Sequence, residues 1–252
     1  MKRKEPLPVI LFIHPGGFYG MTGRSDLAGP HYLLDQDIVL VTINYRLATL
    51  GFLSTGDELA PGNNGFKDQV AALKWVQRNI ASFGGDPDCV TITGYSAGSV
   101  SRQLYTAGVS TKRMETVRLF HRAIAMSGSP FKVKPTPDNL YHLAVRQAEL
   151  LNCSTTNSQV IVDCLKTKDY RDFAYSLSGF YEFGYDPLSI WVPVVEKDFG
   201  QERFLPTDPI TVIKEGKIHS VPFIVSQTTD EFFWKAFSNC PKKPNTTGHY
   251  EQ

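Results

Sequence analysis

The residues best suited to do chemistry are Gly94-Tyr95-Ser96-Ala97-Gly98, a GxSxG sequence between a short β-branched run and a helix-like one. In that setting it reads as a strand-to-helix elbow, which forces Ser96 into a strained backbone conformation and leaves its hydroxyl exposed. The glycines two residues to either side let neighbouring chain pass close to the bend. An exposed hydroxyl on such a turn is suited to attack on a carbonyl, that is, to acyl transfer. That reaction also needs donors aimed at the oxygen that becomes negative, and glycine N–H groups offer them unhindered by side chains. His14-Pro15-Gly16-Gly17-Phe18 follows a strand-like run directly. Pro15 has no N–H, so Gly16 and Gly17 are the expected donors, together with the N–H of Ala97, the residue after the nucleophile. His14 precedes the serine and is read as fixing this loop.

A base and the acid that orients it are expected later in the chain, each at the C-terminal end of a strand. Val221–Ser226 runs into Gln227-Thr228-Thr229-Asp230-Glu231, and spacing alone does not choose between the two carboxylates. After Glu231 the remaining histidine is His249, three residues from the end, with no strand or helix between them to carry it back over Ser96. It reads as a tail residue. His31, His121, His142 and His219 precede the acid at element edges, where solvated or packed histidines are ordinary.

The elements that must hold these groups alternate between strand and helix. Leu7–Ile13 and Asp37–Tyr45 have the near-continuous Val/Ile/Leu content of strands buried on both faces. Between Phe66 and Ser82, apolar residues at 66, 70, 73, 76 and 80 share one helical face. Cys89–Thr93 reads as a strand, Ala97–Ala107 as a helix, and His121–Met126 as a strand leading into Ser127-Gly128-Ser129-Pro130. This alternation predicts a parallel sheet wrapped by helices. From Pro135 the texture changes: Asp138–Leu151 and shorter pieces through Ser178 read as a helical insertion, Gly179–Pro206 is aromatic and irregular, and Val221–Ser226 supplies one more strand.

Composition narrows the function classes. With 42% apolar residues and unpatterned Gly and Pro, the 252-residue chain is neither disordered nor collagen-like. A net charge of +1 supplies no basic field for nucleic acid, and Lys2-Arg3-Lys4 and Lys242-Lys243 lack interleaved aromatics. The purest apolar run, Val9–Ile13, is far short of the ~20 residues a membrane-crossing helix needs. The N-terminus resembles a signal peptide only superficially, because Pro6, Pro8 and the His14–Gly17 turn interrupt its apolar stretch. The four cysteines form no CxxC pair and have no histidine at metal-ligand spacing. The best candidate bridge joins Cys153 to Cys164, worth roughly 3 kcal/mol in the chain-entropy model when the compartment is oxidising. Cys89 opens an apolar strand and reads as a buried free thiol. Sequons at Asn152 and Asn245 agree with export.

With the glycine loop, the elbow and the acidic loop identified, the sequence resembles the type-B carboxylesterase (cholinesterase-like) family of α/β-hydrolases along its whole length. Leu7-Pro8-Val9 leading to His14–Phe18 is similar to the family's oxyanion loop, and Asn44-Tyr45-Arg46-Leu47 with Gly51-Phe52-Leu53 to the segment after it. The run from Asp68 to Ile80, continuing through Phe83-Gly84-Gly85-Asp86-Pro87 into Ser96, is the most specific part. Arg122-Ala123-Ile124, Ser127-Gly128-Ser129, the Cys153–Cys164 spacing, Pro193-Val194-Val195-Glu196 and Val221-Pro222-Phe223-Ile224 are further landmarks.

The resemblance implies an α/β-hydrolase: a mostly parallel central sheet flanked by helices with a helical insertion, one domain over 1–252 that is incomplete at both ends. It implies hydrolysis of a small-molecule carboxylic ester without a cofactor, with Ser96 as nucleophile, Glu231 rather than Asp230 as acid, and Gly16, Gly17 and Ala97 as oxyanion donors. It also implies a Cys153–Cys164 bond and secretion or an extracellular face; it says nothing of oligomeric state. Pro15 stands where the family has glycine, Tyr95 where it often has Glu, and Phe232 where Gly usually follows the acid. Family members extend beyond both ends of this chain, and their catalytic His lies in the C-terminal part. The chain is therefore expected to be a fragment with weak or absent turnover, or alternatively a catalytically silent cholinesterase-like adhesion or binding protein.

Overall fold

The computed structural model describes residues 5–106, 119–129, 136–181, 190–218, 220–229 and 231. Within them, strands β1 (Leu7–Ile13), β2 (Val39–Thr42), β3 (Gly85–Tyr95), β4 (Arg122–Met126) and β5 (Phe223–Ser226) form one sheet in the order β2-β1-β3-β4-β5. Every neighbouring pair is parallel, as the strand–helix alternation predicts. The chain leaves β1 for the β2 side and returns on the other side as β3. The gap between the ends of β1 and β3 is thus a topological switch point, the place where open parallel sheets bind ligands.

Strand β4 starts one residue and β5 two residues later than expected, and two strands differ by more. Strand β2 stops at Thr42 because the chain then leaves the sheet, and Asn44 uses its Oδ1 to accept from Gly23 N at 3.0 Å and Thr22 Oγ1 at 2.9 Å. Strand β3 begins early, at Gly85, despite Asp86, Pro87 and Asp88, because Leu7 pairs with Gly85 across a register irregularity and Leu7 N donates to Gly84 O at 2.8 Å. Burial of β1 alternates rather than running continuously: Val9, Leu11 and Ile13 are fully buried, while Ile10 and Phe12 keep partial access. In-register neighbours share a face, so Val9 with Val90 and Leu11 with Ile92 form one apolar layer.

Helix α1 (Ala48–Phe52) leads to α2 (Asn64–Asn79), whose buried residues Phe66, Val70, Leu73 and Val76 lie three or four apart and join that layer, followed by Ile80 in a 3₁₀ turn. Helix α3 (Ala97–Thr106) follows the elbow. The insertion consists of α4 (Tyr141–Leu150), α5 (Ser158–Lys166) and α6 (Tyr170–Tyr175), with its own small core of Ala144, Ala148, Ile161 and Leu165. The expected disulfide between Cys153 and Cys164 closes it. A short helix, α7 (Pro209–Lys214), precedes β5, started by the Asp208 carboxylate accepting from Ile210 N and Thr211 N.

Two charged groups tie the irregular segments to this frame. Arg46 grips Asp68 of α2 in a fork, Nε to Oδ2 at 2.8 Å and Nη2 to Oδ1 at 2.7 Å, fixing the chain just beyond β2. Glu196 is only 1% exposed. Its Oε2 accepts from Asn63 Nδ2 and Phe204 N at 2.8 Å and from Leu205 N at 3.0 Å, and its Oε1 pairs with Lys67 Nζ at 2.7 Å. Asn63, left-handed at φ 59°, also exchanges two bonds with the Val194 backbone. Removing a buried carboxylate leaves its cation and three donors unpaired. Glu196→Ala is therefore expected to lower the unfolding free energy by about 3–5 kcal/mol in a guanidinium titration, with Glu196→Gln intermediate.

Candidate active site

Ser96 sits between the last residue of β3 and the first of α3, with φ 53°. For a non-glycine residue this costs on the order of 1–3 kcal/mol, sustained only where the surroundings over-determine it. They do so here on three sides. Ser96 N donates to Met126 O at 2.8 Å on the β4 side, and Val100 N donates to Ser96 O at 3.0 Å within α3. A Cβ at Gly94 would collide with the Gly98 backbone, one at Gly98 with the Ile13 carbonyl at the end of β1, and one at Gly128 with the Ser96 carbonyl. The glycines that frame Ser96 therefore permit close backbone approach, as the motif predicts, and Gly128 adds a third such position. Ser96 remains partly accessible, while Ala97 beside it is buried.

Across the switch point lies the loop that leaves β1. Gly16 and Gly17 have φ 115° and 59°, and Phe18 continues the left-handed run at 66°. Gly16 O turns inward to accept from Tyr19 N at 3.0 Å and Gly20 N at 2.9 Å. The N–H groups of Gly16 and Gly17 donate to no partner among the described residues. His14 is buried at 1% exposure, with its ring stacked on Tyr45 at 4.5 Å. Burial pulls its imidazole below the ordinary value, outweighing the opposing pull of its bond to the Pro15 carbonyl, so the ring is neutral.

Glu231 follows β5 and is partly exposed. Its Oε1 accepts from Thr228 Oγ1 at 2.9 Å and Thr228 N at 3.2 Å. The Ser127 hydroxyl, at the end of β4, also donates to this carboxylate and, with Thr228, holds it below its ordinary value. Ser127 is itself left-handed, at φ 50°, and its N–H donates to Ser226 O at 2.9 Å. Residues 126 and 127 thus hold the backbone of Ser96 with one carbonyl and the carboxylate of Glu231 with the next hydroxyl. Ser127 is a functional candidate that motif reading left without a role; its signals were its place immediately after a predicted strand and its membership of the Ser127-Gly128-Ser129 landmark.

Asp230, His219, Cys240, Asn245 and His249 lie outside the described residues. His31 and His142 are exposed, and His121 accepts from Val90 N at 3.1 Å at the opposite, N-terminal edge of the sheet. Asn152 is exposed at the end of α4 beside the disulfide. Cys89 is a partly buried free thiol, its Sγ accepting from Arg122 Nη1 at 3.2 Å. Among the described residues no helix is long and apolar enough to cross a membrane.

The chain matches the carboxylesterase family model over residues 1–252. It belongs to the carboxylesterase family. Its curated relatives include esterase FE4 of Myzus persicae, 46% identical over 224 residues, covering 88% of this chain and 38% of the relative. Juvenile hormone esterase of Tribolium castaneum is 41% identical over 236 residues, covering 91% and 39%. Among solved structures, juvenile hormone esterase from Manduca sexta with OTFP covalently attached superposes with a TM-score of 0.74 at 35% identity, covering 86% of this chain and 40% of that one. The chain spans about two fifths of the length of these relatives. The family resemblance of the sequence and its α/β-hydrolase fold both hold in this carboxylesterase-family chain.

The bond from Ser127 makes a prediction about charge. Because Glu231 titrates lower in the fold than in the unfolded chain, its contribution to stability is present above the ordinary value of 4.5 and is lost as pH falls through the folded value. Ser127→Ala is expected to move the Glu231 carboxyl titration upward, read by carboxyl carbon NMR; an unmoved midpoint would remove Ser127 from the site.

Proposed function

We propose that this chain carries the core of a carboxylic ester hydrolase, with residues 1–252 forming part of one catalytic domain. Ser96 is the nucleophile, Gly16, Gly17 and Ala97 supply the oxyanion donors, and Glu231 is the acid. The observation that carries the reading is the left-handed Ser96 beside a topological switch point, across which lies a loop whose glycine N–H groups donate to no partner among the described residues. Family membership and esterase relatives support the same reaction class.

In the reaction Ser96 Oγ attacks the ester carbonyl carbon, the carbonyl oxygen becomes an oxyanion held by N–H groups, and collapse expels the alcohol to leave an acyl-serine that water hydrolyses. The serine proton must pass to a base and then to the leaving alcohol. None of the described histidines serves this role: His14 is buried against Tyr45, and the others are exposed or lie at the far edge. The 252-residue chain alone is therefore proposed to turn over esters weakly, with the base supplied by the length that its relatives have in addition. A small-molecule ester is the substrate class. The disulfide and the exposed Asn152 sequon support secretion and glycosylation at Asn152, with Asn245 a second acceptor.

A missing base slows deacylation as well as acylation, so the acyl group should persist on the serine. After incubation with p-nitrophenyl acetate, peptide mass spectrometry is expected to find acetyl on Ser96, with steady turnover limited to roughly the 10³–10⁴-fold over water that an oxyanion site and binding provide. Ser96→Ala should lose the acetyl peptide. Robust turnover equal in both proteins would refute the assignment.

A further inference from the structure

Within the glycine loop, Gly16 O accepts from Tyr19 N and Gly20 N and so fixes the peptide plane that carries the Gly17 N–H. Among the described residues no backbone bond holds the Pro15 carbonyl, whose peptide carries the Gly16 N–H. Pro15 lacks an N–H, Gly16 and Gly17 lack side chains, and glycine at positive φ has many accessible conformations. One side chain grips the loop from its upstream end. His14 Nδ1 lies 2.7 Å from Pro15 O. A carbonyl can only accept, so Nδ1 carries the ring proton. Nε2 is then a bare lone pair, in accord with its having no hydrogen-bond partner among the described residues.

Holding the Pro15 carbonyl fixes more than that oxygen. In a trans peptide the C=O and the following N–H are coplanar and point in opposite directions. The plane of the Pro15–Gly16 peptide, and with it the direction of the Gly16 N–H, is set by the His14 bond. The ring is held in turn by its stack on Tyr45, whose hydroxyl also reaches His14 O at 3.3 Å. That same carbonyl abuts Gly98 in the first turn of α3. His14 therefore joins the end of β1, the glycine loop and the helix that follows the serine.

From this geometry we infer that His14 is a positioning residue: its Nδ1–H bond to the Pro15 carbonyl aims the Gly16 N–H, a task separate from its ring's contribution to packing. The inference rests on the oxyanion reading for its catalytic meaning, but not for its structural content. Two variants divide the tasks. His14→Phe keeps a ring on Tyr45 and removes the donor; His14→Asn places an amide donor where Nδ1 lies and gives up the stack.

The test follows the Gly16 and Gly17 amide signals by ¹H–¹⁵N NMR, the melting temperature, and adduct formation with an aryl trifluoromethyl ketone by ¹⁹F NMR. His14→Phe is expected to shift or broaden the Gly16 amide with little change in melting, and to weaken the adduct by roughly ten- to a hundredfold, less than the 10²–10³ lost on deleting an oxyanion donor. His14→Asn should melt earlier yet keep the Gly16 signal and most of the adduct affinity. An unchanged Gly16 amide in His14→Phe overturns the inference. If the ketone forms the same complex with Ser96→Ala, or none with the parent chain, the esterase reading fails, while the amide comparison still decides the role of His14. Should His14→Phe not fold, the ¹⁵N shifts of the native imidazole decide instead: a protonated Nδ1 supports the inference, and a protonated Nε2 overturns it.

Discussion

The site depends on a steric constraint: three backbone segments meet around Ser96 at distances that no side chain would allow. The end of β1 passes against Gly98, the two limbs of the elbow meet at Gly94, and the turn after β4 closes on the Ser96 carbonyl at Gly128. Each contact requires that a Cβ be missing. Because all three are backbone contacts, they hold Ser96 at φ 53° with the rigidity of the sheet rather than that of a loop. The strain is local, whereas the restraint comes from three neighbouring strands, so the turn cannot relax without separating them.

Once the elbow is fixed, the sheet order distributes the remaining groups. Reading across β1, β3, β4 and β5, the C-terminal edge presents the glycine loop, Ser96, Ser127 and the Glu231 loop in sequence. Parallel strands make this possible, since all of them end at the same edge and each contributes one loop. The electrostatics differ from end to end. His14, beside the glycine loop, is buried and neutral, whereas Glu231, at the other end, is partly exposed and held ionised by hydroxyl and amide donors. For the proposed reaction, a neutral loop would place no competing cation near a developing oxyanion, and an ionised carboxylate is the form that can orient an imidazole.

Much of this was legible in the sequence, for physical reasons that also explain what was not. The apolar runs of β1, β3 and β4 and the three- and four-residue spacing of α2 are local signals, and the elbow and glycine loop are read directly from residue type. What local signals missed was set by distant partners. The early start of β3 through Asp86-Pro87-Asp88 is imposed by pairing with β1 against propensity. Helix α1 contains Gly51, whose close approach to the Arg46 carbonyl leaves no room for a Cβ, and nothing in its five residues announces a helix. Asp208-Pro209 was a readable helix start that the irregular composition around it obscured. Ser127 and Glu196 act through residues far away in sequence, so their types alone disclosed neither role.

The outer side of the glycine loop is closed by aromatic packing. The Tyr19 ring lies over Gly17, where an added Cβ would stand 2.6 Å from Tyr19 Cε1. Tyr19 in turn meets Trp191 at 6.2 Å, and Trp191 packs on Phe180 at 4.9 Å. Trp191 is nearly inaccessible, and three residues beyond it Val194 is bound to Asn63, which shares the buried carboxylate of Glu196. The ion pair with Lys67 includes none of the proposed catalytic groups, yet through Glu196 and Asn63 it fixes the segment that carries this wall. A loop of proline and glycine has few side chains of its own, so beyond the turn closed on the Gly16 carbonyl its geometry is borrowed from both flanks: from a neutral imidazole on one side and, on the other, from aromatic rings anchored to a buried charge.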